Sequence, residues 1–128
     1  MKDHAFHILR VGTAITFLWI GILILKDPQG WGGYISSWAA NLLILPIKET
    51  MISTAILDIA IGFFLLVDYL TWLAALVGAI HLAIVLTVAG INAITVRDIG
   101  LLSATIALFL SSFPQKYLQK LKNKPTPN

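Results

Sequence analysis

The chain predicts an all-α integral membrane protein: a four-helix bundle with a short interfacial amphipathic helix between spans one and two. Two observations carry this. Hydrophobic residues fill 58% of the 128 positions and charged residues only 12%, with a mean hydropathy of +0.86, whereas soluble domains carry about a quarter charged residues. The apolar residues also fall into long stretches, most of them near the roughly 20 residues that a helix needs to cross hydrocarbon.

The first stretch, 6–25, follows Met1-Lys2-Asp3-His4 directly and stops at Lys26-Asp27-Pro28. It is too long for a signal-peptide core and has no small-residue cleavage site behind it, so it reads as a retained span. The second, 51–67, begins after Lys48-Glu49 and ends at Asp68. The third, 69–90, follows so closely that spans two and three form a tight antiparallel hairpin. Within it Ala75, Ala79, Ala83 and Thr87 make a ladder of small residues, the kind that lets helices approach in lipid. The fourth, 99–113, is closed by Pro114 and is short for a crossing, which puts Arg97 and Asp98 at headgroup level.

Between spans one and two, Trp31, Tyr34, Ile35, Trp38, Leu42 and Leu45 recur at helical spacing, with Ser36, Ser37 and Asn41 among them. The pattern predicts an amphipathic helix over 31–45 on the outer membrane surface, with Trp31, Tyr34 and Trp38 as interfacial anchors. It acts either as a tether or as a lid over a ligand pocket. The membrane domain is expected over 1–122, and 123–128 as a disordered cytoplasmic tail, because that segment is polar and proline-rich.

Basic residues set the orientation. Lys2 and Arg10 lie near the amino end and Lys116, Lys120, Lys122 and Lys124 near the carboxyl end, while the first loop balances Lys26 and Lys48 against Asp27 and Glu49. An even number of spans then puts both termini in the cytoplasm of a multi-pass cell-membrane protein. The same placement accounts for the net charge of +3 without nucleic acid as a partner; the partner it names is the lipid bilayer. Cysteine is absent, which excludes a disulfide framework and thiolate metal sites. No glycine-rich phosphate loop, HExxH or nucleophile elbow is present, and no metal is expected.

The ionisable residues inside the spans are the candidate site. Asp58, mid-span two, sits where a carboxyl costs a few kcal/mol, so it should face the bundle interior. Thr54, Ala55 and Gly62 share its face. Counted from the Asp68-Tyr69 turn, Asp58 and His81 both reach roughly 15–18 Å, a common depth near the midplane at about 1.5 Å per residue. They are expected as a polar pair that fixes helix pairing, a proton relay, a site for a carbonyl-bearing ligand, or an axial haem ligand. A single intramembrane histidine argues against haem. Arg10 either snorkels to headgroups or reaches Asp58 as a third member of the site. His4, His7 and Arg10 share a helical face compatible with a metal or anion, but two histidines without a third ligand favour neither. Arg97, Asp98 and Asn92 form an outer-face polar cluster in which Asp98 suits the cap of span four or a pocket beneath the loop helix.

These residues resemble the DoxX-like family of four-span membrane proteins. The matching pieces are Ile8-Leu9-Arg10-Val11-Gly12, Trp19-Ile20-Gly21 with Lys26, Leu57-Asp58-Ile59-Ala60-Ile61-Gly62, and Val96-Arg97-Asp98-Ile99-Gly100-Leu101-Leu102-Ser103-Ala104. The resemblance covers nearly the whole chain. It implies association with membrane oxidoreductase subunits and quinone-linked sulfur oxidation, and it carries over Arg10, Asp58, Arg97 and Asp98 as the family-like polar set. The chain departs from the pattern with Asp58 where glutamate is common, and in lacking the cysteines of some relatives. The function expected is an accessory or quinone-type ligand-binding subunit of a membrane redox system, not an enzyme by itself, either alone or as a homo-oligomer. Trp31 and Trp38 would flank ligand entry. The alternatives are a non-catalytic scaffold or assembly protein and a small transporter or proton-relay component.

Overall fold

A backbone in hydrocarbon has no water to bond, so each span must satisfy its own amides as a helix. The computed structural model of the chain describes residues 3–123, and every regular element among them is helical. These are α1 (His4–Lys26), α2 (Pro28–Gly32), α3 (Ser37–Ala40), α4 (Ile47–Leu66), α5 (Thr71–Ala89), α6 (Val96–Ser112) and α7 (Gln115–Lys122). Of the tail expected at 123–128, only Asn123 is described, as the C-cap of α7; the rest of it, like Lys2, lies outside the described residues.

By length and composition α1, α4 and α5 can each cross a membrane, and α6 qualifies together with α7 as a pair bent by 68°. α1, α4, α5 and α6 form a ring in which each packs on the next, with α1 lying most extensively along α4 and α5 along α6. The predicted hairpin of spans two and three is therefore the looser contact. Both of its turn residues with positive φ are non-glycine, Asp68 at 56° and Leu70 at 51°. Asp68 offsets part of that cost by accepting a hydrogen bond from Thr71 Oγ1.

Small residues set the closest approach, though not the ladder named from sequence. Ala83 and Thr87 are exposed, and only Ala75 of that ladder is fully buried. The tight interface is α1 on α4, where Gly21 faces the Ala55 carbonyl and Gly62 faces the Ala14 carbonyl and Leu18 amide. An alanine ladder was legible on α5 because it is uninterrupted; this one is split between two helices.

Three element boundaries moved for physical reasons. The helix expected at 31–45 is two short helices, because the extended Ser36 (φ −62°, ψ 148°) interrupts the chain between them. α4 begins at Ile47 rather than Met51, with Glu49 in its first turn where helix-dipole charge favours an acid. α6 begins at Val96, so Arg97 and Asp98 lie within the helix instead of ahead of it.

The ring is filled unevenly. Toward the Asp68 turn, Phe17, Ile61, Leu65, Ala75, Leu82 and Leu108 close into one core. Toward the first loop, the helix ends diverge and the loop itself covers them, tied down by the Ser36 amide donating to the Val88 carbonyl at 2.8 Å. A cavity of about 770 Å³ occupies that half.

A Cβ built at Gly62 meets backbone atoms of α1 at 2.9 Å, while one at Gly12 meets nothing within 4 Å. Gly62→Ala is therefore expected to cost about 1–3 kcal/mol by forcing the helices apart, and Gly12→Ala to be neutral or slightly stabilising. Thermal unfolding of the two variants in detergent, followed by circular dichroism, checks the contrast; equal midpoints would contradict it.

Candidate functional site

Asp58 is buried, with 4% of its surface exposed, and its Oδ1 lies 3.0 Å from His81 Nε2. A carboxylate in hydrocarbon is tolerable only with such a partner. The bond joins α4 to α5 at the level where the packed core gives way to the cavity. Thr50, Thr54 and Asp58 recur every fourth residue, so all three face the cavity. The Thr54 hydroxyl donates to the Thr50 carbonyl at 3.0 Å and that of Thr50 to the Leu45 carbonyl at 3.3 Å, so both are satisfied on their own chain segment. The spacing of Thr50 from Asp58 was a signal in the sequence that the reading above does not use.

Arg97 and Asp98 line the same cavity. Asp98 is half-buried and close enough to interact electrostatically with both Asp58 and His81. The two groups separated by sequence, midplane and outer face, are thus one site spread over α4, α5 and α6. Starting at Val96 explains this: α6 carries Asp98 inward by nearly a turn. No side chain caps α6, Asp98 included: its first amides, of Val96, Arg97 and Asp98, donate to the Asn92, Ile94 and Thr95 carbonyls, while Asn92 Oδ1 accepts from the Ile94 and Thr95 amides of the preceding loop at 2.8 and 3.0 Å. Thr95 completes the turn by accepting from the Asn92 amide and donating to the Gly90 carbonyl. Gly90 has φ +71°, the left-handed region that glycine enters cheaply and that ends α5. Asn92 is thereby a structural residue of the loop rather than a member of the cavity wall.

Arg10 is not brought to Asp58. In the antiparallel α1–α4 register Gly62 meets Ala14 and Gly21 meets Ala55, which sets Arg10 against the last turn of α4. Its Nη1 donates to the Leu65 and Leu66 carbonyls at 2.6 and 2.8 Å, and its Nε lies 3.9 Å from Asp68 Oδ1. The guanidinium closes the carbonyl end of the helix, where a cation also meets the negative dipole terminus. Contact with Asp58, one of the two alternatives drawn from sequence, does not describe it: the guanidinium lies at the Asp68 end of α4. Arg10 Nε further donates to His7 Nδ1 at 3.3 Å. Among the described residues, no cluster of three histidine or acidic side chains has the arrangement of a metal site.

The cavity walls are apolar and aromatic. Trp31, Tyr34 and Trp38 from the first loop form its outer side, and Trp31 and Tyr34 stack with ring centroids 5.9 Å apart. Trp19 of α1, 64% exposed on its outer side, forms another wall. Sequence reading placed Trp19 only in a family-like motif. The cavity thus combines apolar and aromatic walls with the polar side chains of Asp58, His81, Arg97 and Asp98. A haem ligand role suits His81 poorly, since its Nε2 is already directed at Asp58.

Replacing His81 by Ala strands the buried carboxyl of Asp58 and is expected to cost about 3–5 kcal/mol, whereas exchanging both residues for Leu should restore most of it. Arg10→Gln is expected to cost about 1.5–3 kcal/mol through its charge-assisted bonds to α4. Unfolding the reconstituted variants by denaturant tests both; a double replacement no better than His81→Ala would argue against the pair as the source of the loss.

Comparison with curated proteins finds no match, and comparison with solved structures finds none. Residues 5–92, from α1 through the end of α5, match the DoxX family; Val96–Ala104 lies beyond the matched segment. With the apolar helices in place and more than half its length matched, the chain belongs to the DoxX family and is a multi-pass membrane protein.

Proposed function

We propose that this protein binds a lipophilic ligand with a polar, carbonyl-bearing head, of the quinone class, as an accessory subunit of a membrane redox system. The observation that carries the reading is the Asp58–His81 pair at the floor of an apolar cavity of about 770 Å³. That volume lies within the roughly 300–1,000 Å³ of small-molecule sites, enough for a ring-sized head with its tail directed outward.

The donor set fits such a head. The pair uses His81 Nε2 and Asp58 Oδ1, which leaves Asp58 Oδ2 and His81 Nδ1 as hydrogen-bonding atoms. Asp58 and His81 would orient the head, and Asp98 would hold a proton at the cavity wall. Arg97 makes no side-chain hydrogen bond or ion pair among the described residues, and it would meet an electronegative ligand atom nearer the opening. Trp31 and Trp38 would exclude water on the loop side. A quinone supplies two-electron chemistry when bound; the chain's own residues supply binding, orientation and proton exchange. Orientation with both termini in the cytoplasm of the cell membrane, and partnership with oxidoreductase subunits, belong to the same proposal. A scaffold role is favoured by one observation: every buried side-chain polar atom among the described residues has a partner, so the pair is stable without a ligand.

Titration of the purified protein with a short-chain benzoquinone or naphthoquinone separates the two. Three of the four tryptophans, Trp19, Trp31 and Trp38, line the cavity, so binding is expected to quench fluorescence saturably. Asp58→Asn keeps the contact with His81, and the pair's loss of acidity should weaken binding about tenfold, the size of one charge-assisted hydrogen bond. Linear, unsaturable quenching unaffected by Asp58→Asn would support the scaffold instead.

A further inference from the structure

Pro114 cannot donate an amide bond and ends α6, after which Gln115–Lys122 form α7 bent 68° away. No residue of α7 is buried. α6, at 17 residues, is about 25 Å long, somewhat less than the roughly 30 Å of hydrocarbon, so its full length is taken up by the crossing. With α6 upright, the bend sets α7 much closer to the membrane plane than to its normal.

Aromatic rings fix the depth of the elbow. Trp72 of α5 meets Phe113 edge-on with centroids 5.5 Å apart, Phe109 meets Phe113 at 5.3 Å, and Phe113 meets Tyr117 at 6.0 Å. Tryptophan and tyrosine favour the headgroup level, so this cluster holds the start of α7 at the interface. At 100° per residue, Tyr117, Leu118 and Leu121 share one side of α7, all three exposed. Lys116 and Lys120 run along one edge of that stripe and Lys122 along the other; α7 contains no acidic residue. Lysine stems can lie on the acyl boundary while their ammonium groups reach phosphate level. The end of the bundle that carries α7 also carries Arg10, whose charge is spent on α4 carbonyls.

We propose that α7 is a surface anchor that binds anionic phospholipid headgroups, its apolar stripe in the interface and its lysines on the phosphates. Charge complementarity and the fixed depth of the elbow select this occupant over a protein partner. The proposal is independent of the ligand assigned to the cavity.

The absence of cysteine makes the test direct, because Leu118→Cys carries one environment-sensitive fluorophore at a single position of the full chain. The labelled protein is reconstituted into nanodiscs of phosphatidylcholine alone, or with about one third phosphatidylglycerol. The expected result is blue-shifted emission and protection from an aqueous quencher in the phosphatidylglycerol discs. That difference should disappear when Lys116, Lys120 and Lys122 are all replaced by Gln. Native mass spectrometry of unlabelled protein gives a second readout: the triple Lys→Gln variant should retain phosphatidylglycerol at least fivefold less well than the parent. Equal emission in both lipids, or retention unchanged by the replacements, would overturn the proposal. So would a shift that depends on two copies sharing a disc, since a second chain would then be covering the stripe.

Discussion

An ionised side chain in hydrocarbon must be neutralised, paired or turned toward water, and this constraint governs how the bundle is put together. Asp58 meets it through His81 on the neighbouring helix, which makes the α4–α5 contact specific where its packing is otherwise the looser one. Intimate van der Waals contact is left to α1 against α4, where Gly21 and Gly62 bring backbones together. A helical pair held by shape and a helical pair held by one polar bond are thus set side by side in the same ring. The first needs no sequence-specific chemistry beyond absent side chains. The second allows the helices to stand apart wherever the bond is not, and the cavity begins there.

The polar groups at the two ends of the bundle do different work. At the Asp68 turn, Arg10 bonds the last carbonyls of α4 and Thr71 bonds Asp68, so charge and hydroxyl go into closing helix ends. At the loop end, Asn92 and Thr95 close the turn before α6, and the Asn92, Ile94 and Thr95 carbonyls accept its first amides, which leaves Asp98 free of capping and Arg97 beside it. These two then face the cavity instead of the backbone.

Sequence patterning disclosed the apolar helices, the depth match of Asp58 and His81, and the aromatic character of the first loop, because each depends on local composition or on counting along one helix. Contacts between helices were another matter. The partner of Arg10 follows from the α1–α4 register, which two glycines in different helices determine jointly; no single-helix period reveals it. The convergence of Asp98 with Asp58 and His81 on one cavity needed the start of α6, and that follows a loop closed by Asn92 and Thr95. The split of the first-loop helix falls at the extended Ser36, but the helical recurrence of the aromatic residues around it outweighed that serine. α7 was hidden because its lysines read equally well as orientation signals, and only the bend at Pro114 turns them into a face.

The hollow half is best understood as space that the packed half makes possible. Large-to-small vacancies in a core cost free energy in proportion to the contacts forgone, and a bundle of this size has few to spare. Here Phe17, Leu65, Leu108 and Thr105, all below 2% exposure, concentrate close packing at one end, together with the bonds of Arg10. The other end has a smaller cluster of Ile24, Met51 and Ala55 beneath the first loop, a roof of aromatic rings and a tie from Ser36 to Val88. Were the chamber a packing failure, the polar residues would be expected to avoid it. Asp58, His81, Asp98 and Arg97 instead converge on it from three helices. Asp58, buried among the apolar spans, carries a desolvation cost there that an aliphatic residue would not.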